Sequence, residues 1–241
     1  MGERVFKRVL LKLSGELLGG AAGQGVDGAA TAAVAERVRE AIDLGVQVAL
    51  VVGAGNLFRG LGASRRGMDR CSADAMGMLA TVMNALALRD AFEAQGVPAE
   101  IQSAIGMTGI VESFDHRRAC GLLDAGKVVL FAAGTGHPFF TTDTTAALRA
   151  CQIGAQVILK GTKVDGIYAE DPVRNPQAER FARLSHAEAL VRRLGVMDAA
   201  AFSLCMDNRL PIIVFRFGAP GELARLMCGD FSSATVVETE A

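Results

Sequence analysis

Short, continuous apolar runs alternate along this chain with longer stretches in which apolar side chains recur every third or fourth position. The first pattern predicts strands buried on both faces, and the second predicts helices with one face on a core. Strands are predicted at residues 5–13, 46–52, 101–105, 128–131, 156–160 and 211–215, with a last, edge strand at 235–237. Helices are predicted at 29–44, 72–95, 115–125, 144–153, 199–207 and 220–228, and a capping box at 185–188 opens another that runs to about 194. Asp27 and Asp143 fall at helix N-caps, and Pro220 falls at a helix start. Gly45, Gly96, Gly126 and Gly154 each stand between a helix and a strand, where a helix takes a left-handed residue after its last turn. This alternation predicts an α/β fold with a mainly parallel sheet covered on both faces. No repeat, low-complexity tract or linker divides residues 1–241, so a single domain is expected.

Composition narrows the class. At 51% hydrophobic, the chain can fill a large core, and its net charge of -1 is spread in both signs, which argues against a nucleic-acid partner. No apolar run reaches the length of a membrane span, and the charged start of the chain is not a secretory signal, so a cytoplasmic protein without a membrane partner is expected. The 5 cysteines form no CxxC pair and read as reduced, buried thiols. His116, His137 and His186 stand apart, so no protein-held metal site is expected.

The chemistry gathers at strand ends. Residues 12–15, 53–56, 134–143 and 160–163 are small, polar or cationic, and each follows a strand. Parallel strands bring such loops to one edge of the sheet, where open α/β proteins bind ligands. Lys12, Lys160, Asp143, several glycine turns and a helix N-terminus then converge, a set suited to anionic oxygens. Taken singly, each turn is also an ordinary loop, and the pair Phe139–Phe140 is also readable as core. No P-loop occurs; residues 23–28, GQGVDG, fit the dinucleotide glycine pattern but follow no strand directly and read as a mobile loop.

The segments KLSGE (12–16), GNLFRG (55–60), GMLATVMNALALRDA (77–91), GTGHPFFTTD (134–143), KGTKVDGIYAEDP (160–172) and VMDAAAF (196–202) closely resemble those of the bacterial UMP kinases, a branch of the amino acid kinase family. NLFRG, the Met-rich helix and PFFTTD are the parts that mark the UMP enzymes. The resemblance implies an αβα sandwich around a mainly parallel eight-stranded sheet, a homohexamer, and transfer of phosphate from ATP to UMP with Mg²⁺. It implies ATP contacts at Lys12, Leu13, Ser14, Gly15, Gly55, Arg59, Thr162, Tyr168 and Asp171. It implies UMP contacts at Ala54, Asp74, Thr135, Gly136, His137, Pro138, Phe139, Phe140, Thr141 and Thr142. Catalytic roles are implied for Lys12, Lys160, Asp143 and Asp198. Ala54 replaces a common Gly, and His137 replaces a common Asn. Relatives are activated by GTP and inhibited by UTP, but the loop 20–25 departs from the usual residues, which leaves the effector response open. Two alternatives remain at this stage: another kinase of the same fold acting on a carboxylate or carbamate, and a non-catalytic nucleotide-binding protein.

Overall fold

The structure, a computed structural model, describes residues 4–239 apart from 66, 171, 173, 176 and 193. The chain forms, in order, β1 (Arg8–Leu13), α1 (Gly28–Ile42), β2 (Gln47–Val52), α2 (Gly60–Ser64), α3 (Arg70–Ala94), β3 (Ala99–Ser103) and β4 (Glu112–Ser113). It continues with α4 (His116–Asp124), β5 (Val128–Ala132), α5 (Thr142–Ile153), β6 (Val157–Thr162), β7 (Ile167–Tyr168), β8 (Arg180–Phe181) and β9 (Arg183–Ser185). It ends with α6 (His186–Val191), α7 (Ala199–Asp207), β10 (Ile212–Arg216), α8 (Glu222–Met227) and β11 (Ala234–Glu238). A 9-stranded sheet has the order β4-β3-β5-β2-β1-β6-β10-β11-β9, and β7 and β8 form a separate hairpin. Every pairing in the large sheet is parallel except β10 with β11.

Side-chain alternation divides the core between the two faces of the sheet. Val9, Leu11 and Leu13 of β1 face one side, with Leu50, Leu130 and Leu159, against Val34 and Val38 of α1 and Leu88 and Phe92 of α3. Leu10 faces the other side with Ala49, Phe131 and Ile158, against Leu123 of α4, Ala146 and Ala150 of α5, and Phe202 of α7. The αβα sandwich follows directly from two-sided burial of continuous apolar strands. The predicted left-handed glycines hold: Gly45, Gly96, Gly126 and Gly154 all have positive φ.

Several local expectations are corrected. Among the described residues the sheet has nine strands where eight were expected, because the two-residue β4 and the short β9 extend its edges. The strand at β11 is not an edge, since β9 pairs outside it. Gly221 with φ 77 precedes α8, so Pro220 does not start that helix. The N-cap of α5 is Thr141, whose hydroxyl accepts from the N–H groups of Asp143 and Thr144, so Asp143 lies inside the first turn. The GQGVDG segment is fastened rather than loose: Gly25 N–H donates to the Asn56 carbonyl at 2.9 Å, and Asp27 caps α1 through the Ala30 N–H at 2.7 Å. Only Cys205 of the five cysteines is fully buried, and Cys71 and Cys228 are exposed. Helix α3 is long and apolar enough by length and composition to cross a membrane, but it packs on the sheet through Leu88 and Phe92 and buries Thr81 and Asn84.

Candidate active site

Strands β5, β2, β1 and β6 are neighbours and parallel, so the four polar strand-end segments do meet at one edge. Lys12 and Lys160 are direct partners in the register of β1 with β6. They occupy the same face as Leu10 and Ile158, the face covered by α5. Two ammonium groups side by side under a helix require an anion, and α5 supplies it. Asp143 Oδ1 lies 2.7 Å from Lys12 Nζ, and Asp143 Oδ2 lies 2.7 Å from Lys160 Nζ. The Oδ1 contact is an ion pair without hydrogen-bond angles, whereas Lys160 donates a hydrogen bond to Oδ2 and another to the carbonyl of Val196. Burial opposes ionisation of Asp143, yet the Lys12 and Lys160 charges together outweigh it and hold the carboxyl below its ordinary range. Burial pulls Lys160 down to about 8; Asp143 opposes that pull and Lys12 adds to it.

The glycine turns sit directly above this cluster. A Cβ on Gly15 would lie 2.2 Å from the Gly53 carbonyl oxygen and 2.5 Å from Asn56 Oδ1, so only glycine allows the turn after β1 to touch the turn after β2. Among the described residues, the N–H groups of Gly15, Ala54 and Gly55 donate to no protein acceptor. Free N–H groups gathered in this way form a nest for an anion.

Beside the nest, a cleft of about 230 Å³ is lined by Ala54, Phe58, Asp74, Met78, Gly134, Thr135, His137, Phe140, Thr141 and Thr142, among others. Asp74 Oδ2 accepts from Arg70 Nε at 2.7 Å and from the Phe139 N–H at 2.8 Å, which ties α3 to the 134–143 loop. Phe139 adopts φ 71, the residue is 64% exposed, and the Arg70 guanidinium lies over its ring, 5.1 Å from the centroid. Phe139 and Phe140 are therefore not core residues. Gly136 and Pro138 complete the loop, in which Thr135 Oγ1 accepts from the His137 N–H at 3.2 Å.

On the other flank, Arg59 and Lys163 both reach Glu16. Lys163 Nζ lies 2.7 Å from Glu16 Oε2, and Arg59 bonds the other oxygen. The hydrogen bond from Lys163 is the main cause that lowers the Glu16 carboxyl, with Arg59 adding to it. Thr162 is the last residue of β6, and Tyr168 of β7 donates to Asp165 Oδ1 at 2.7 Å, which raises the phenol above its ordinary range. Ser14 caps the turn that follows β1, its hydroxyl accepting from the Glu16 N–H at 3.3 Å. Leu13 is buried, and its carbonyl accepts from the Gly53 N–H, so neither its side chain nor its oxygen is offered to the edge. Asp171 lies outside the described residues. Asp198 caps α7, accepting from the Ala201 N–H at 2.8 Å, and also accepts from the hydroxyls of Thr141 and Thr144. It stands one step behind Asp143, tied to the same helix start.

Sequence reasoning missed Glu16, Arg70 and the buried pair Asn56 and Asn84. Glu16 follows the KLSG turn immediately, and Asn84 is a polar residue in the middle of an apolar helix; both were visible signals.

Comparisons with known proteins identify the family. The profile of the amino acid kinase family matches residues 7–216. A curated uridylate kinase of Ectopseudomonas mendocina (strain ymp) is 51% identical over 236 residues, covering 98% of this chain and 95% of that protein. The solved UMP kinase from Bacillus anthracis superposes with a TM-score of 0.93 at 34% identity, covering 99% of this chain and 98% of that one. The UMP kinase from Ureaplasma parvum gives 0.90 at 34% identity, covering 97% and 99%. With the paired lysines, their shared carboxylate and the glycine nest in place on this sheet, the chain belongs to the amino acid kinase family.

Proposed function

We propose that the protein transfers the γ-phosphoryl group of ATP to UMP, giving ADP and UDP. The observation that carries this is the Lys12–Asp143–Lys160 cluster at the sheet edge, between the Asp74 cleft and the Arg59–Lys163 flank. A UMP phosphate oxygen attacks the γ-phosphorus, the bond to the bridging oxygen of ADP breaks, and no proton must be removed because the acceptor is already an anion. Such a transfer needs alignment and charge neutralisation more than covalent chemistry. Lys12 and Lys160 neutralise charge that moves toward the leaving ADP oxygen, and Asp143 keeps both ammonium groups pointed at it. Asp74 serves the UMP ribose, and Ala54 and residues 135–142 make the other UMP contacts. Arg59, Ser14, Gly15, Gly55, Thr162, Tyr168 and Asp171 serve ATP.

Mg²⁺ would supply further neutralisation of the phosphate oxygens. Among the described residues no group of three acids, histidines or cysteines gathers to hold a metal, while Asp143 Oδ1 lacks a hydrogen bond, so the chain fits an ion carried mainly by the nucleotide's own phosphates.

The same proposal includes a single catalytic domain over residues 1–241, a cytoplasmic setting, and a homohexamer with GTP and UTP as effectors. The exposed side chains Met76, Leu79 and Met83, three and four residues apart on the outer face of α3, support self-association. The test is UDP formation from ATP and UMP, with CMP, AMP, carbamate and an acyl-amino acid as rival acceptors. UMP preferred by a wide margin is the expected result; equal turnover of CMP, or phosphorylation of a carboxylate alone, would overturn the assignment.

A further inference from the structure

The middle of α3 carries an amide that the transfer chemistry does not require. Asn84 is fully buried, and Asn56, in the turn after β2, is nearly so. The two side chains clasp reciprocally: Asn84 Nδ2 donates to Asn56 Oδ1 at 2.8 Å, and Asn56 Nδ2 donates to Asn84 Oδ1 at 2.9 Å. The second N–H of Asn84 donates to the Gly53 carbonyl at 2.8 Å, and that of Asn56 donates to the Gly25 carbonyl at 2.6 Å. All four amide hydrogens are used, and turning either amide over would set donor against donor. Asp lacks the donors, and Gln adds a methylene that the buried site would have to absorb.

The bond to Gly53 has a consequence across the peptide plane. A carbonyl and the N–H that follows it point in opposite directions. Holding the Gly53 oxygen toward α3 therefore turns the Ala54 N–H away from α3, and Ala54 lines the cleft. Among the described residues the Gly53 oxygen has no other donor, and the Ala54 and Gly55 N–H groups have no acceptor. If Asn84 lost its donors, the simplest relief would be a flip of the Gly53–Ala54 peptide, which would withdraw an N–H from the nest and present an oxygen to it.

We propose that Asn84 is a positioning residue for phosphate: it fixes the Gly53–Ala54 peptide so that the N–H groups of the nest face the transferring phosphates, with Asn56 and Gly25 as its brace. The proposal deepens the UMP kinase assignment and rests on it.

UDP formation by the wild-type protein is therefore measured first; failure there overturns the assignment itself. Asn84→Ser and Asn84→Asp are then compared with the wild type, using circular dichroism to establish folding. Inorganic tripolyphosphate and uridine serve as competitive inhibitors that probe the phosphate nest and the base pocket separately. The expected result is a tripolyphosphate inhibition constant raised about tenfold in Asn84→Ser and further in Asn84→Asp, with that for uridine within about twofold of wild type. The fall in kcat should exceed the rise in the KM for UMP. Parallel weakening of both inhibitors, or no change in either, overturns the role of Asn84. So does failure of both variants to fold, which would make the amide pair a structural clasp.

Discussion

Asp143→Asn removes one negative charge from between two ammonium groups while leaving the side-chain volume nearly unchanged. In the wild type each carboxylate oxygen lies 2.7 Å from a lysine nitrogen. At an effective dielectric of ~20, a contact of that length is worth roughly 6 kcal/mol before any relaxation. Rotation of the freed amine and entry of water reduce this, and a shift of about one to two pK units, about 1.4–2.7 kcal/mol, is what we expect to survive. Lys160 is the group that reports it. Burial already lowers it to about 8, Asp143 raises it, and Lys12 lowers it. Without Asp143 the two downward influences are opposed only by the weaker pull of Asp198, so the ammonium of the free variant is lost as pH rises through roughly 6–7. The charged form is the one that stabilises the departing phosphate, so activity falls as pH rises through the pKa. In steady-state UDP formation, kcat/KM of the wild type should show an alkaline limb near 8, and the limb of Asp143→Asn should lie about one to two units lower. Lost alignment should lower kcat of the variant by about a hundredfold to a thousandfold. The deficit in kcat/KM should narrow toward acid pH. An unshifted limb would refute the electrostatic account, because Asp143 would then not govern Lys160. A capping role cannot stand in for it, since Thr141 is the cap of α5.

Three further outcomes are expected. Asp74→Ala should raise the KM for UMP about tenfold to a hundredfold with a smaller change in kcat, and Asp74→Asn should recover part of the loss, because its amide oxygen still accepts from the Phe139 N–H; an unchanged KM in Asp74→Ala would remove Asp74 from the cleft. Gly15→Ala places a Cβ 2.2 Å from the Gly53 oxygen, so thermal unfolding should report a loss of about 1–3 kcal/mol together with weaker ATP binding; full stability and full affinity would contradict the close approach of the two turns. Leu79→Asp on the exposed face of α3 should leave the secondary structure intact and shift sedimentation toward smaller species, whereas an unaltered assembly would place the interface elsewhere.

The parallel sheet was legible because buried strands read as continuous apolar runs and the glycines after helices mark where each run begins. The convergence of Lys12, Lys160 and the glycine turns followed from strand direction alone. What the pattern could not supply was register and partner choice. That Lys12 and Lys160 are opposite each other depends on how β1 aligns with β6, a long-range pairing invisible to local periodicity. Thr141, not Asp143, caps α5 because Asp143 is drawn inward by two ammonium groups, and a sequence rule for caps weighs only the local N–H groups. Glu16 was overlooked because its partners Arg59 and Lys163 are distant in sequence. The edge strands β4 and β9 are two and three residues long, too short to carry an alternation that could be read.

Phe139 holds a left-handed backbone conformation and is mostly exposed. For a residue with a Cβ that conformation costs about 1–2 kcal/mol, and an exposed aromatic returns little of it through burial. A redesign of this protein guided by stability alone would therefore mark position 139 as a fault and replace it with Gly or Asn. The replacement would keep the N–H that binds Asp74 and lose the aromatic face over which Arg70 lies at the mouth of the cleft. Thermostable variants selected without an activity screen should accumulate changes here first, and a catalogue of such variants would trace the outline of the cleft by the residues it discards.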